Sequence, residues 1–129
     1  MKSYTDIEQS KKLAEFMPIE SADMSWAGTG LGKPFARTIP SKGHPEEICP
    51  CWSLAALLDI LPETIEDEWG EYELIINMIY KKPEYVRLGD CHHSDFPSWD
   101  WDNEELLDNI VESVIWLNNN GYLRNKKLY

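Results

Sequence analysis

Cysteine and histidine side chains capable of thiol or metal chemistry occur at two places in the chain. Cys49 and Cys51 enclose a single proline, and Cys91 is followed directly by His92 and His93. Thiolate and imidazole are ligands that suit zinc, and four of them close a structural zinc site. If these five side chains converged, they would form a metal site, or a thiol hydrolase if one cysteine lay beside a histidine held by a third group.

The spacing of these residues favours packing over chemistry. Cys49 and Cys51 are one residue too close for the Cys-x-x-Cys redox motif, and the cysteines and histidines match no standard zinc spacing. A free cysteine behaves as a small apolar side chain, so we expect Cys51 to point into the core. The sequence contains no complete catalytic or cofactor motif. It therefore predicts a protein that holds no cofactor, and it favours a protein that is not an enzyme.

A second candidate site is an aromatic loop near residue 100. Such a loop either plugs the end of a sheet or anchors a partner protein, because aromatic side chains ringed by charge are typical of interfaces. As a docking site, it would use three aromatic and two acidic side chains: Phe96, Trp99, Trp101, Asp95 and Asp100.

The elements that must position these residues follow from hydrophobic periodicity. A capping box at Thr5 and Glu8 predicts a first helix over residues 5–17, which Pro18 ends. Leucines at i, i+3, i+4 and i+7 predict a central helix with one buried stripe. The residues of that stripe are Leu54, Leu57, Leu58 and Leu61.

Two hairpins and a last helix complete the predicted order. Alternation predicts strands over residues 22–26 and 35–39, and again over 71–80 and 85–88. The final helix begins near Asp102 and ends before Gly121, which suits the left-handed residue that closes many helices. The order α-β-β-α-β-β-α predicts one α+β domain over residues 1–129, with a mostly antiparallel sheet flanked by helices. A short basic tail, residues 124–129, is expected to fray.

Charge and composition restrict the classes of function. The chain has 129 residues, of which 43% are hydrophobic, so it can form a core. With 12 basic and 23 acidic residues its net charge is −11, which disfavours direct binding to nucleic acid. An odd count of three cysteines and the lack of a signal-peptide pattern predict a cytoplasmic protein. No apolar run approaches the ~20 residues needed to cross a bilayer, so no membrane association is expected.

Four segments in order along the chain carry a resemblance to a family. They are Tyr4–Leu13, Ala22–Met24, Pro50–Leu54 and the closing Trp116–Leu117. Together they resemble a group of small uncharacterised proteins of Bacteroidetes genomes that look like cargo of prophages and other mobile elements. The resemblance implies a cytoplasmic accessory protein and assigns no catalytic residue.

The leading hypothesis is a non-enzymatic protein that binds another protein, one with a basic surface, through acidic faces near the aromatic loop. Two segments, residues 59–73 and 90–112, contain acidic residues but no lysine or arginine, and they would supply such faces. One alternative is mimicry of DNA by rows of carboxylates that would inhibit a nucleic-acid enzyme. The other is a Cys/His metal-binding protein or hydrolase.

Overall fold

The computed structural model describes residues 1–28, 32–38, 47–68, 70–87 and 103–123. Three α-helices and two three-stranded antiparallel sheets form these parts of the chain, so the predicted α+β class is confirmed. The chain divides into two compact units. We call Lys2–Asp59 the N-terminal unit, and Ile60–Tyr129 with Met1 the C-terminal unit. The extent of a single domain over residues 1–129 stays a prediction.

The first helix of the N-terminal unit, α1, covers Ile7–Ala14 and is capped one residue later than predicted. The Gln9 amide donates to the Asp6 carboxylate at 2.7 Å, and the Gln9 side chain accepts from the Asp6 amide at 3.1 Å. The predicted box of Thr5 and Glu8 is therefore wrong. Thr5 is fully buried, and its hydroxyl accepts a hydrogen bond from the Trp52 amide instead.

The sheet of the N-terminal unit has one more strand than the predicted hairpin. Strands β1, Met24–Ala27, and β2, Phe35–Arg37, pair as expected, and β3, Glu47–Cys51, pairs with the other edge of β1. The sequence was expected to enter the central helix at this point. The mainly extended backbone of β3 instead places Cys49 opposite Trp26 and Cys51 opposite Met24.

The amino-terminal residues of the chain are bonded to the segment that follows β3. The Thr5 amide donates to the Trp52 carbonyl at 3.0 Å, and the Leu54 amide donates to the Ser3 carbonyl at 2.9 Å. Trp52 is fully buried, and its indole N–H donates to the Ser21 hydroxyl at 3.0 Å. The two backbone bonds join residues that lie about fifty positions apart in the sequence.

The central helix, α2, covers Leu54–Ile60 and is capped by Ser53. The Ala56 amide donates to the Ser53 hydroxyl at 3.1 Å, and Asp23 accepts from the Ser53 amide at 2.9 Å. Of the predicted leucine stripe, Leu57 and Leu61 are buried, whereas Leu58 is 37% exposed. Ile60 is buried as well, so the buried side is turned away from the predicted stripe.

The C-terminal unit begins with a meander. Strands β4, Thr64–Asp67, β5, Gly70–Asn77, and β6, Lys82–Arg87, lie side by side in that order, each antiparallel to the next. The sequence predicted only the hairpin of β5 and β6. Strand β5 ends at Asn77, three residues earlier than the alternation predicted, so Met78–Tyr80 belong to the turn.

The last helix, α3, covers Leu106–Asn119, and most of the apolar residues that helical periodicity assigns to its core face are buried. Gly121 has φ +83°, and the Tyr122 amide donates to the Leu117 carbonyl at 2.9 Å, which is the predicted left-handed helix ending. The buried apolar residues of α3 are Leu106, Leu107, Ile110, Val111, Val114 and Leu117. Within the described residues, no helix is long and apolar enough to cross a membrane.

Tyr85 on β6 gives the stability of the protein a predictable dependence on pH. Its side chain is 1% exposed and its hydroxyl donates to the Pro62 carbonyl at 2.8 Å. Burial raises the pKa of Tyr85 above the ordinary value of 10.0. Above pH 10 the unfolded chain therefore releases this proton while the folded chain retains it, so stability falls as the pH rises.

We expect Tyr85→Phe to lower the free energy of unfolding by about 1 kcal/mol at pH 7, because the hydrogen bond is lost. Above pH 10 this deficit should shrink, since the variant has no phenol to ionise at this position. Urea unfolding at pH 7, 9 and 11 measures both effects. Tyr80→Phe, at a side chain that is 63% exposed, is the control. A deficit that stayed constant from pH 7 to 11 would contradict the expectation.

Candidate interaction surface

The turn between β5 and β6 exposes three consecutive large apolar side chains. We call Met78–Lys81 the hairpin tip. Met78 is 57% exposed, Ile79 86% and Tyr80 63%, and Ile79 is the most exposed large hydrophobic residue in the described part of the chain. Together these side chains present on the order of 400 Å² to solvent, which is the size of patch that is often functional on small proteins.

The side chain of Asn77 fixes the tip from within. Its Oδ1 accepts hydrogen bonds from the Ile79 amide at 3.0 Å and from the Tyr80 amide at 3.1 Å. Its Nδ2 donates to the Glu84 carboxylate at 3.2 Å across the hairpin. Asparagine folds turns in this way because its short amide imitates a backbone group. These hydrogen bonds therefore constrain the backbone that carries Ile79 and Tyr80.

Asn109 on α3 holds the last residue of the tip, Lys81. Its side chain is fully buried, and its Nδ2 donates to the Lys81 carbonyl at 2.6 Å. The side chain of Asn109 also forms two hydrogen bonds with the backbone of Asn103. The Asn103 N–H donates to Asn109 Oδ1 at 2.9 Å, and the Asn103 carbonyl accepts from Asn109 Nδ2 at 3.0 Å. Lys81 has φ +55°, a left-handed conformation that costs any residue other than glycine about 1 kcal/mol. The bond from Asn109 helps to hold this strained residue in place.

The apolar side chains of the tip are thus presented on a constrained loop. Exposed apolar side chains in a rigid frame bind with little loss of conformational entropy, which is the advantage of preorganisation. Aromatic residues and methionine are also enriched at protein interfaces. The geometry suits recognition by another molecule.

The two described cysteines serve packing. Cys51 is fully buried and Cys49 is 7% exposed, and both are thiols outside any disulfide. The Cys51 thiol donates to the Thr5 carbonyl at 3.4 Å and lies 3.6 Å from the Thr5 hydroxyl. Burial raises the pKa of the Cys51 thiol, so less of it is the reactive thiolate. These observations agree with the expectation that Cys51 points into the core.

We expect Cys51 to resist alkylation in the folded protein. Iodoacetamide reacts with thiolates, and burial both hides this sulfur and disfavours its ionisation. Treatment at pH 8, followed by mass spectrometry of peptides, should show slow labelling of Cys51 in buffer and complete labelling in 8 M urea. Equal rates in the two conditions would show that the sulfur is accessible.

The remaining predicted site residues lie outside the described residues. This holds for the metal candidates Cys91, His92 and His93, so their distances from Cys49 and Cys51 stay untested. Among the residues that the structure does describe, no three His, Cys, Asp or Glu side chains are placed to hold a metal ion. The aromatic loop is likewise outside the described residues, with all of its candidate partner contacts: Phe96, Trp99, Trp101, Asp95 and Asp100.

Acidic side chains of the C-terminal sheet form one cross-strand pair. Glu66 on β4 lies directly opposite Glu71 on β5, and both are exposed. The next position along the same face pairs Glu73 with Thr64. The β4–β5 pair therefore carries three carboxylates on this face, whereas mimicry of DNA predicts a longer double row. That hypothesis stays a prediction.

Sequence reasoning missed the hairpin tip because it continued a strand through it. Alternation assigned Met78 and Tyr80 to one face of β5, although the run from Leu74 to Tyr80 is apolar on both faces except at Asn77. Asparagine is disfavoured in strands and favoured in turns. That single polar residue was the signal for the end of β5.

Comparisons with known proteins add no further constraint. No family model matches this chain, and no curated protein or solved structure is detectably similar to it.

Proposed function

We propose that this protein is a non-enzymatic cytoplasmic interaction protein that binds another protein through the hairpin tip. The observation that carries the proposal is the exposure of Met78, Ile79 and Tyr80 on a turn fixed by Asn77 and Asn109. A soluble domain gains nothing in its own stability from such exposure, whereas a partner that covers these side chains gains apolar burial. The resemblance to mobile-element proteins supports a role as an accessory factor of a phage or related element.

The proposal is tested by photo-crosslinking from the tip. A benzophenone amino acid replaces Ile79 in one version of the protein and Asn119, an exposed residue of α3, in the control. In cells of the native host, we expect position 79 to capture a defined protein that position 119 does not. The captured protein is then produced in pure form so that its affinity can be measured.

Loss of the apolar tip should weaken that affinity strongly. We expect the double variant Ile79→Ser, Tyr80→Ser to bind the captured protein at least about tenfold more weakly, because central apolar anchors carry most of the binding energy. Ile19→Ser, at a residue that is 40% exposed in the N-terminal unit, is the matched control and should bind normally. Unchanged affinity in the double variant, or no protein captured from position 79, would overturn the proposal.

A further inference from the structure

The described part of the C-terminal unit has few basic residues, and two of them are neighbours at the hairpin tip. Among residues 60–123 the only lysines and arginines are Lys81, Lys82 and Arg87. Lys81 belongs to the tip and is exposed, and Lys82 is the first residue of β6, where it pairs with Asn77. Two lysines therefore follow the apolar residues of the hairpin tip directly, although the chain as a whole has a net charge of −11.

Three backbone groups of the tip already take part in hydrogen bonds. The Ile79 and Tyr80 amides donate to Asn77, and the Lys81 carbonyl accepts from Asn109. A partner strand that paired with this turn would have to displace them. These hydrogen bonds favour recognition through the side chains over strand addition at the tip.

The shape and area of the tip call for a concave partner. A stable interface buries about 800 Å² on each side, roughly twice the apolar area that the tip presents. A second copy of the chain meeting it tip to tip would bury too little surface and would bring four lysines together. A pocket that encloses Ile79 and Tyr80 on several sides buries the same side chains completely.

We infer, on the basis of the proposed function, that the partner is a protein with an apolar pocket whose rim carries carboxylates. Lys81 and Lys82 stand where the rim of such a pocket would lie, and charges there act over about 10 Å before salt screens them. Opposite charges at a rim raise the association rate and select the partner. An anionic membrane offers similar chemistry, but its extended negative surface repels a chain of net charge −11.

The test reverses the charge of the two lysines and leaves the apolar residues of the hairpin tip intact. We expect Lys81→Glu, Lys82→Glu to weaken binding to the purified crosslinked protein about tenfold at physiological salt, mainly through slower association. The matched control is Lys11→Glu, Lys12→Glu, at two exposed residues of α1, which makes the same change in net charge. It should bind as the wild type does. Lysine in place of the facing partner carboxylates should restore the affinity of the reversed tip.

The outcomes separate this inference from the proposed function. Normal binding by the charge-reversed tip, with loss of binding in Ile79→Ser, Tyr80→Ser, overturns the acidic rim and leaves the interaction function standing. Normal binding by both variants overturns both proposals. Vesicles of phosphatidylserine and phosphatidylcholine should not bind the protein. Tip-dependent binding to them would overturn the protein pocket in favour of a lipid surface.

Discussion

Replacing Leu57 with alanine is expected to lower the free energy of unfolding by about 3 kcal/mol, whereas the same change at Leu58 should cost less than about 1 kcal/mol. The two leucines are neighbours in α2 and differ in burial, since Leu57 is fully buried and Leu58 is 37% exposed. Truncation of Leu57 removes apolar contacts and leaves a cavity, while truncation of Leu58 leaves a helix-favouring alanine near solvent.

Equilibrium unfolding in urea, followed by tryptophan fluorescence, measures both variants. Because the chemical change is identical, differences in helix propensity and in the unfolded chain cancel between them. Equal losses of stability would mean that the predicted stripe, with Leu57 and Leu58 both facing the core, describes α2 better than the structure does.

Replacing Asn109 with leucine should lower the free energy of unfolding by about 3 kcal/mol for a different reason. Leucine has a similar size, so packing is largely kept, but the Lys81 carbonyl and two backbone groups of Asn103 lose their partner. Each buried polar group left without a hydrogen bond costs about 1–3 kcal/mol. Asn109→Asp should destabilise the protein more than Asn109→Leu does. Aspartate keeps the acceptor toward the Asn103 amide, but it turns a carboxylate oxygen toward two carbonyls.

The control for Asn109 is Asn119→Ala, on the exposed side of the same helix, which should leave stability nearly unchanged. Thermal and urea unfolding give the loss of stability, and hydrogen exchange of the Ile79 and Tyr80 amides reports on the tip. We expect faster exchange of these amides in Asn109→Leu at urea concentrations where the fold persists. Exchange at the wild-type rate would show that Asn109 does not hold the tip.

The sequence predicted those parts of the fold whose cause is local. The apolar face of α3 and its ending at Gly121 depend on periodicity and on one glycine, and both are confirmed. Strands β3 and β4 were missed because each gains its order from pairing with β1 or β5. A prolyl segment such as Cys49–Cys51 carries no strand signal of its own, so its extended form is a product of tertiary pairing.

The candidate site was harder to predict than the fold. The cysteines attracted attention because their residue type is capable of chemistry, yet the described part of the chain uses Cys51 in packing against Thr5. The hairpin tip contains neither cysteine nor histidine. Its significance comes from exposure and from the bonds of Asn77 and Asn109, which depend on where β5 ends and on how α3 packs.

The bonds between the first residues and the segment after β3 set an order for folding during synthesis. The Ser3 carbonyl and the Thr5 amide find their partners only at Leu54 and Trp52. The opening of the chain must therefore wait, unpaired, until the first helix, the intervening hairpin and the tryptophan have all left the ribosome. Contacts of such sequence separation slow folding, so the nascent N-terminal unit is most vulnerable to proteases and to chaperone capture before that moment.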